Sequence, residues 1–264
     1  MPLIGVIGGS GLYGIPGLEE VGRKAVKTPF GDPSDSYLIA EFSGGVQAVF
    51  LPRHGAGHAV APHKINYRAN IWGMKELGVE RIIAVNATGG IDSAFAPGSI
   101  VIPDQILDFT GGGRPATFYE EKDVVHVDFT EPYCPELRAS LLGAAKKAGV
   151  PAAGKGTYVC TNGPRLESRA EVAFYAKAGG HVVGMTGMPE AILARELELC
   201  YSAIAVVTNF AAGVSDAKKL TTTEVIEYMG KSAEAIRQIL KEVFPLIPGR
   251  RGCPCKDALK DSRL

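Results

Sequence analysis

The most constraining feature of this chain is a short buried run that stops on two polar residues. Ala203 to Val207 is apolar and rich in small or β-branched side chains, and Thr208-Asn209 follows at once. Such a run reads as a strand buried on both faces. Upstream, Gly184-Met185-Thr186-Gly187 holds two glycines and cannot sit inside a settled helix or strand. Pro189-Glu190 then opens a helix, because proline suits the first turn and an acid there suits the helix dipole. Ala191, Leu193, Ala194 and Leu197 give that helix its apolar face, and Arg195 and Glu196 are expected in solvent. Ligands of open α/β sheets sit beyond the carboxyl ends of strands. A small-molecule site is therefore expected around Thr208-Asn209 and the loop before Pro189.

The same grammar recurs along the chain. Leu3 to Ile7 reads as a strand entering Gly8-Gly9-Ser10-Gly11, a loop whose backbone N–H groups and Ser10 hydroxyl suit an anion. No Gly-Lys-Ser/Thr follows, so it is not a Walker loop. Tyr37 to Phe42 and Val46 to Leu51 form a hairpin that runs into Pro52-Arg53-His54-Gly55. Arg53 and His54 place a permanent cation and a titratable ring in one loop, the chemistry of a phosphate contact. Ile82 to Val85 is read as a strand ending at Asn86-Ala87-Thr88-Gly89-Gly90. Residues 109–133 show no period, and a long irregular stretch of this kind is expected to serve function or an interface. Pro135 to Ala148, the segment after Ser168 and the long segment capped by Thr221 read as helices. Strands alternating with helices predict an α/β fold around one central sheet.

Composition narrows the function. Among 264 residues, 28 acids balance 28 bases, which argues against nucleic-acid or anionic-membrane partners. No apolar run reaches the length of a membrane span, and the opening residues lack the pattern of a signal peptide, so a cytoplasmic protein is expected. His54, His58 and His63 are separated by Gly55, Gly57 and Pro62, which break any helix that would align them on a metal. The five cysteines do not form an even disulfide framework, and Cys134, Cys160 and Cys200 read as buried thiols. Cys253-Pro254-Cys255 suits a metal, a strained disulfide or no chemistry at all. No second pair or histidine lies near it in sequence, so zinc ranks lowest. Residues 1–248 are read as one domain, with 249–264 a polar, mobile tail.

Several motifs together resemble one family, the trimeric purine nucleoside phosphorylases and 5′-methylthioadenosine phosphorylases. They are Ile4 to Leu12, Arg53-His54-Gly55, His63 to Trp72, Gly163-Pro164-Arg165, Gly184-Met185-Thr186 with Pro189-Glu190, and Thr208-Asn209. The resemblance implies a single α/β domain with a mixed sheet, a distorted barrel, flanked by helices. It implies phosphorolysis: phosphate attacks the anomeric carbon of a purine nucleoside and the base leaves. By the same resemblance Ser10, Arg53, His54, Asn86, Ala87 and Thr186 bind phosphate, Met185 packs on the ribose, and Leu166, Glu167 and Asn209 meet the base. Asn209, Glu167 and Thr186 are the expected catalytic set, with no metal or organic cofactor; phosphate is a co-substrate.

Asn209 stands where methylthioadenosine enzymes carry Asp, and Glu167 where 6-oxopurine enzymes carry a glutamate for N1–H. Val225 falls where inosine and guanosine enzymes have a histidine, and an apolar residue there matches methylthio-specific members. His126 matches a histidine that reaches a neighbouring subunit's ligand, which implies a trimer or a dimer of trimers. Leu166 replaces the family's usual phenylalanine. The implied activity is a 6-oxopurine nucleoside phosphorylase acting on 5′-methylthioinosine, inosine or guanosine. A methylthioadenosine phosphorylase and a non-catalytic nucleoside-binding oligomer are the alternatives.

Overall fold

A computed structural model describes residues 3–9, 15–42, 45–121, 123–215 and 221–263, with only the backbone of Thr222. Numbered in chain order, its strands are β1 (Leu3–Gly8), β2 (Leu18–Lys24), β3 (Tyr37–Phe42), β4 (Val46–Pro52), β5 (Val79–Gly90) and β6 (Ile100–Val101). They continue as β7 (Gln105–Phe109), β8 (Ala152–Ala153), β9 (Thr157–Thr161), β10 (Val182–Gly184) and β11 (Cys200–Phe210). The helices are α1 (Tyr67–Glu76), α2 (Pro135–Lys147), α3 (Arg169–Lys177), α4 (Glu190–Glu196) and α5 (Thr222–Val243).

All eleven strands join one mixed sheet. Its spine is β5, which runs parallel to β1 at its start, antiparallel to β10 at its end, and parallel to β11 from Arg81 to Gly90. Beyond β1 lie β4, β3 and β2; beyond β10 lie β9 and β7. One core layer packs α2 and α5 against the sheet through Leu137, Leu141, Ile236 and Leu240. A second packs α1 and α4 against it through Ile71, Met74, Ala191 and Leu193. Thr221 with Glu224 forms the reciprocal capping box read from sequence, and the helix after Ser168 starts on a second such box, with Glu171.

Four readings from sequence change. The glycine pair Gly89-Gly90 does not end β5. The strand runs through it, paired with β11 and β10, and glycine is needed there because a side chain at Gly90 would collide with the Phe95 carbonyl. Likewise β11 continues past Val207, but its register slips there, so Thr208 is an extra residue bulged out of the ladder. Arg195 and Glu196 are buried rather than solvated. Arg195 donates to the Glu131 carbonyl, and Glu196 accepts the Phe118 N–H at 2.7 Å. Both hold down the irregular stretch between β7 and α2, a use that a local sequence pattern does not reveal.

The fourth is the tail, which is packed. Arg251 donates to the Glu198 carbonyl at 2.6 Å, and Cys253 and Cys255 are buried in the core layer of α2 and α5. Further on, the Ser262 carbonyl accepts the His126 N–H at 2.8 Å, and Arg263 pairs with Asp123 at 2.8 Å.

Candidate active site

Register alone assembles the site. Cys160 at the end of β9 lies beside Gly184, Val183 beside Gly89, and Gly89 beside Asn209. Four adjacent strands thereby deliver Thr161, Met185, Thr88 and Asn209 to one end of the sheet. On the other side, Gly8 pairs with Pro52, and β1 lies along β5, which brings Gly9, Arg53 and Asn86 together. The two halves meet where Asn86 Nδ2 donates to Thr186 Oγ1 at 2.8 Å.

The first half is built for an anion. Arg53 is 2% exposed and Glu190 is fully buried. Glu190 accepts from Arg53 Nε at 2.6 Å and from Nη2 at 2.8 Å. Arg53 Nη1 donates to the Val85 carbonyl at 3.2 Å, and Nη2 also lies 3.5 Å from the Ile7 carbonyl. Of the five guanidinium N–H groups these use four, and the remaining Nη1–H is the one a ligand would meet. Burial acts to lower the Arg53 pKa, but the Glu190 carboxylate overcomes it and holds the guanidinium charged. Tyr201 adds a donor to Glu190 Oε1 at 2.9 Å. The acid read from sequence as a first-turn residue is thus the partner that allows a cation to stay in the core.

His54 lies with Nδ1 2.8 Å from the Val60 carbonyl and its ring stacked on His58 at 4.0 Å between centroids. A carbonyl only accepts, so Nδ1 carries the proton and Nε2 of the neutral ring is an acceptor. Burial, and then the charges of Arg53 and His58, push the His54 pKa down to about 4. Thr186 Oγ1 accepts from Asn86, and its own proton lies between the Tyr158 hydroxyl and the anion side. Asn86 Oδ1 is buried with no partner among the described residues, an acceptor suited to a ligand O–H. Ala87, on the same strand, is exposed. Ser10 lies outside the described residues.

The second half suits a planar, polar ligand. A cleft of about 240 Å³ is lined by Thr161, Asn162, Gly163 and Glu167, with Phe109 and Tyr175 as aromatic wall. Thr161 Oγ1 donates to Glu167 Oε1 at 2.7 Å, which leaves Oε2 as a directed acceptor. Gly163 has a positive φ of 61°, and any side chain there would strike Met185; this close approach fixes Met185 over the loop. Thr208 Oγ1 donates toward Asn209 Oδ1 at 2.9 Å and the Thr88 carbonyl at 3.2 Å. Asn209 Nδ2 spends one hydrogen on the Phe210 carbonyl at 2.9 Å and, among the described residues, keeps the other.

One residue that the sequence reading gave no site role ties this half together. Arg114 is buried. It donates to the carbonyls of Asn162 at 2.6 Å, Met185 at 2.7 Å and Met188 at 2.7 Å. It also meets Asn162 Oδ1 at 3.1 Å and Tyr67 Oη at 3.1 Å. It lies in the irregular stretch 109–133, expected only as a whole to serve function or an interface, and its partners come from distant loops, so no local signal marks it.

Three other expected contacts are not gathered here. Leu166 is 45% exposed. Val225 is half-buried in the first turn of α5, and the His126 side chain is exposed. None of the three lines the cleft, and Met185 and Asn209 stand at the same sheet end without lining it either.

The family model described as the phosphorylase superfamily matches residues 3–245. The chain belongs to the phosphorylase superfamily. This phosphorylase is 54% identical to the 6-oxopurine nucleoside phosphorylase of Pyrococcus furiosus, over 98% of each chain. It is 51% identical to a probable S-methyl-5′-thioinosine phosphorylase of Thermodesulfovibrio yellowstonii, over 98% of this chain and 96% of the relative. Among solved structures, it resembles a methylthioadenosine phosphorylase from an Antarctic soil metagenomic library. The TM-score is 0.93 at 36% identity, covering 99% of this chain and 92% of that one. Among the described residues, no helix is long and apolar enough to cross a membrane.

Proposed function

We propose that the chain is a 6-oxopurine nucleoside phosphorylase acting on 5′-methylthioinosine, inosine or guanosine. Phosphate bonds to the anomeric carbon as the bond from that carbon to the purine N9 breaks, and the electron pair leaves with the base. The products are free base and sugar 1-phosphate. The reading rests chiefly on Asn209, whose oriented amide keeps a donor at the strand end shared with the Thr161–Glu167 pair. A donor for the 6-oxo group or N7 and an acceptor for N1–H fit hypoxanthine and guanine, whereas adenine has no N1 proton. Developing charge on the leaving base is stabilised by the Asn209 N–H, a preorganised donor. Glu167 fixes the base that presents it.

On the opposite side, Thr186, Asn86, His54 and the free Nη1–H of Arg53 hold phosphate, with Ser10 and Ala87 completing its cradle. The neutral His54 Nε2 accepts from a protonated phosphate oxygen. Phosphate is the only co-substrate, and the chemistry uses no metal or organic cofactor. Met185 supports the ribose, and Leu166 borders the base. Val225 makes the 5′ end apolar enough for a methylthio group. The exposed His126 reaches the 5′ end of a neighbouring subunit's ligand, in a homotrimer or a dimer of trimers. Five buried cysteines outside any disulfide suit the reducing cytoplasm.

Phosphate-dependent base release from methylthioinosine, inosine, guanosine and methylthioadenosine, measured side by side, tests the proposal. Hypoxanthine and guanine are the expected products. Dominant adenine release would assign the chain to methylthioadenosine instead, and no release from any of the four would refute catalysis. Gel filtration of wild type and His126→Ala, with substrate KM for both, tests the shared site. A monomer that keeps full activity overturns it.

A further inference from the structure

Cys134, Cys200, Cys253 and Cys255 come from three separate parts of the chain and converge. All four are buried, and their Sγ atoms lie within 4.8 Å of one another. Cys200 and Cys253 approach to 3.3 Å, and Cys134 Sγ, at the N-cap of α2, accepts the Leu137 N–H at 3.4 Å. Packing alone scatters thiols through a core, as it does Cys160, which lies outside this group. Pairwise oxidation needs only pairs. A tetrahedral ion with metal–sulfur bonds of about 2.3 Å needs four sulfurs mutually about 3.8 Å apart. We propose that these four cysteines form a structural zinc site that fastens the C-terminal tail to the core.

The surroundings fit a tetrathiolate. Zinc binding forms four Zn–S bonds, releases four thiol protons and transfers no electrons, leaving a site of net charge about −2. Cys134 sits at the positive end of a thirteen-residue helix, where thiolate charge is favoured. Arg81 is the register partner of Cys200, is buried, and has an Nε without a partner among the described residues. Its other nitrogens meet Glu80, Glu136 and the Pro248 carbonyl, and Arg251 pairs with Glu80. Two ligands stand on the rigid starts of α2 and β11, and the CxC turn supplies the other two. Four protein ligands leave no open position, so the ion is structural. The cluster lies at the opposite end of β11 from Asn209, about 30 Å away along an extended strand.

The decisive measurement is metal and thiol content of the full chain purified under reducing conditions without chelator. About one zinc per chain is expected, with Cys160 the one thiol that titrates freely after unfolding with the metal retained. Cobalt(II) in place of zinc is expected to give the intense visible and near-ultraviolet bands of tetrahedral thiolate ligation. The tail-only variant C253S/C255S is expected to lose the metal and to melt at a lower temperature that chelator no longer changes. Its phosphorolysis rate at 25 °C is expected to stay that of wild type. Metal-free protein with five free thiols overturns the proposal. So does an intact mass about four hydrogens light, which means two disulfides. Metal content is read without activity, so failure here leaves the phosphorolysis reading untouched.

Discussion

The two ends of β11 are made of the same strand and do opposite things. At its start, Cys200 and Tyr201 are buried, Arg81 lies alongside, and the tail is folded over them. At its finish, Thr208 is bulged out of the ladder and Asn209 keeps a donor unspent. Among the described residues, the start encloses its two unpartnered groups, Arg81 Nε and Ser202 Oγ, within the core, whereas the finish leaves Asn209 Nδ2–H and Asn86 Oδ1 unused beside the candidate site. Rigidity at one end is what permits incomplete satisfaction at the other, because groups held by neighbours cannot turn to satisfy themselves. Fold stability and ligand chemistry are thus separable along one strand, and substitutions at each end test that separation.

The largest effect is expected where the two roles overlap. Glu190→Ala leaves Arg53 charged and buried without its carboxylate, a loss of about 3–5 kcal/mol. Urea unfolding is expected to show it directly, or the variant fails to accumulate. If Glu190→Ala is stable within about 1 kcal/mol, the pair is not the anchor described here. Next is Arg114, the clamp on the base half. Arg114→Lys keeps the charge but not the planar fork, so it cannot reach several carbonyls at once. Stability is expected to fall by about 2 kcal/mol, with substrate KM rising more than phosphate KM. Equal rises in both constants would mean that Arg114 supports the sheet end in general.

Why some of this was legible in sequence and some was not follows from range. Helix caps such as Thr221 with Glu224 are set by neighbours three residues apart, and the structure has them as read. The hairpin of β3 and β4 and the strand at Thr157–Thr161 are likewise local in origin. Motif resemblance carried the family and the fold. Arg114, the Glu190 partner of Arg53 and the solvent-excluded Arg195 and Glu196 were not legible, because each depends on carbonyls or charges far away in sequence. The same holds for Cys134 and Cys200, which join Cys253 and Cys255 only after α2 and β11 are placed. Glycine misled at Gly89-Gly90, where close packing rather than a turn required it.

Smaller effects are confined to the carboxyl end of the sheet. Thr186→Val removes one positioned donor while preserving shape, and kcat/KM for phosphate is expected to fall about 10²-fold with the melting temperature nearly unchanged. Asn209→Asp changes chemistry without changing volume. A carboxylate in place of the donor is expected to lower turnover of inosine-type substrates about 10- to 100-fold and to raise the adenine-to-hypoxanthine product ratio. An unchanged ratio would remove Asn209 from base selection.

The mildest expected effect is that of pH on His54. Its pKa is pushed down from about 6.5 in the unfolded chain to about 4 by burial, so the folded state disfavours the proton. Stability from this group is therefore fully present above about pH 6.5 and falls as pH drops toward 4, where the unfolded chain binds the proton first. Partial solvent access limits the contribution to about 2 kcal/mol over that window. Comparing denaturant midpoints of wild type and His54→Gln at several pH values isolates it: the two curves are expected to converge as pH falls. Parallel curves would mean that His54 is not held neutral by its surroundings. In that case the ring would enter the site as a cation at mildly acidic pH, and its Nε2 would donate to phosphate instead of accepting from it.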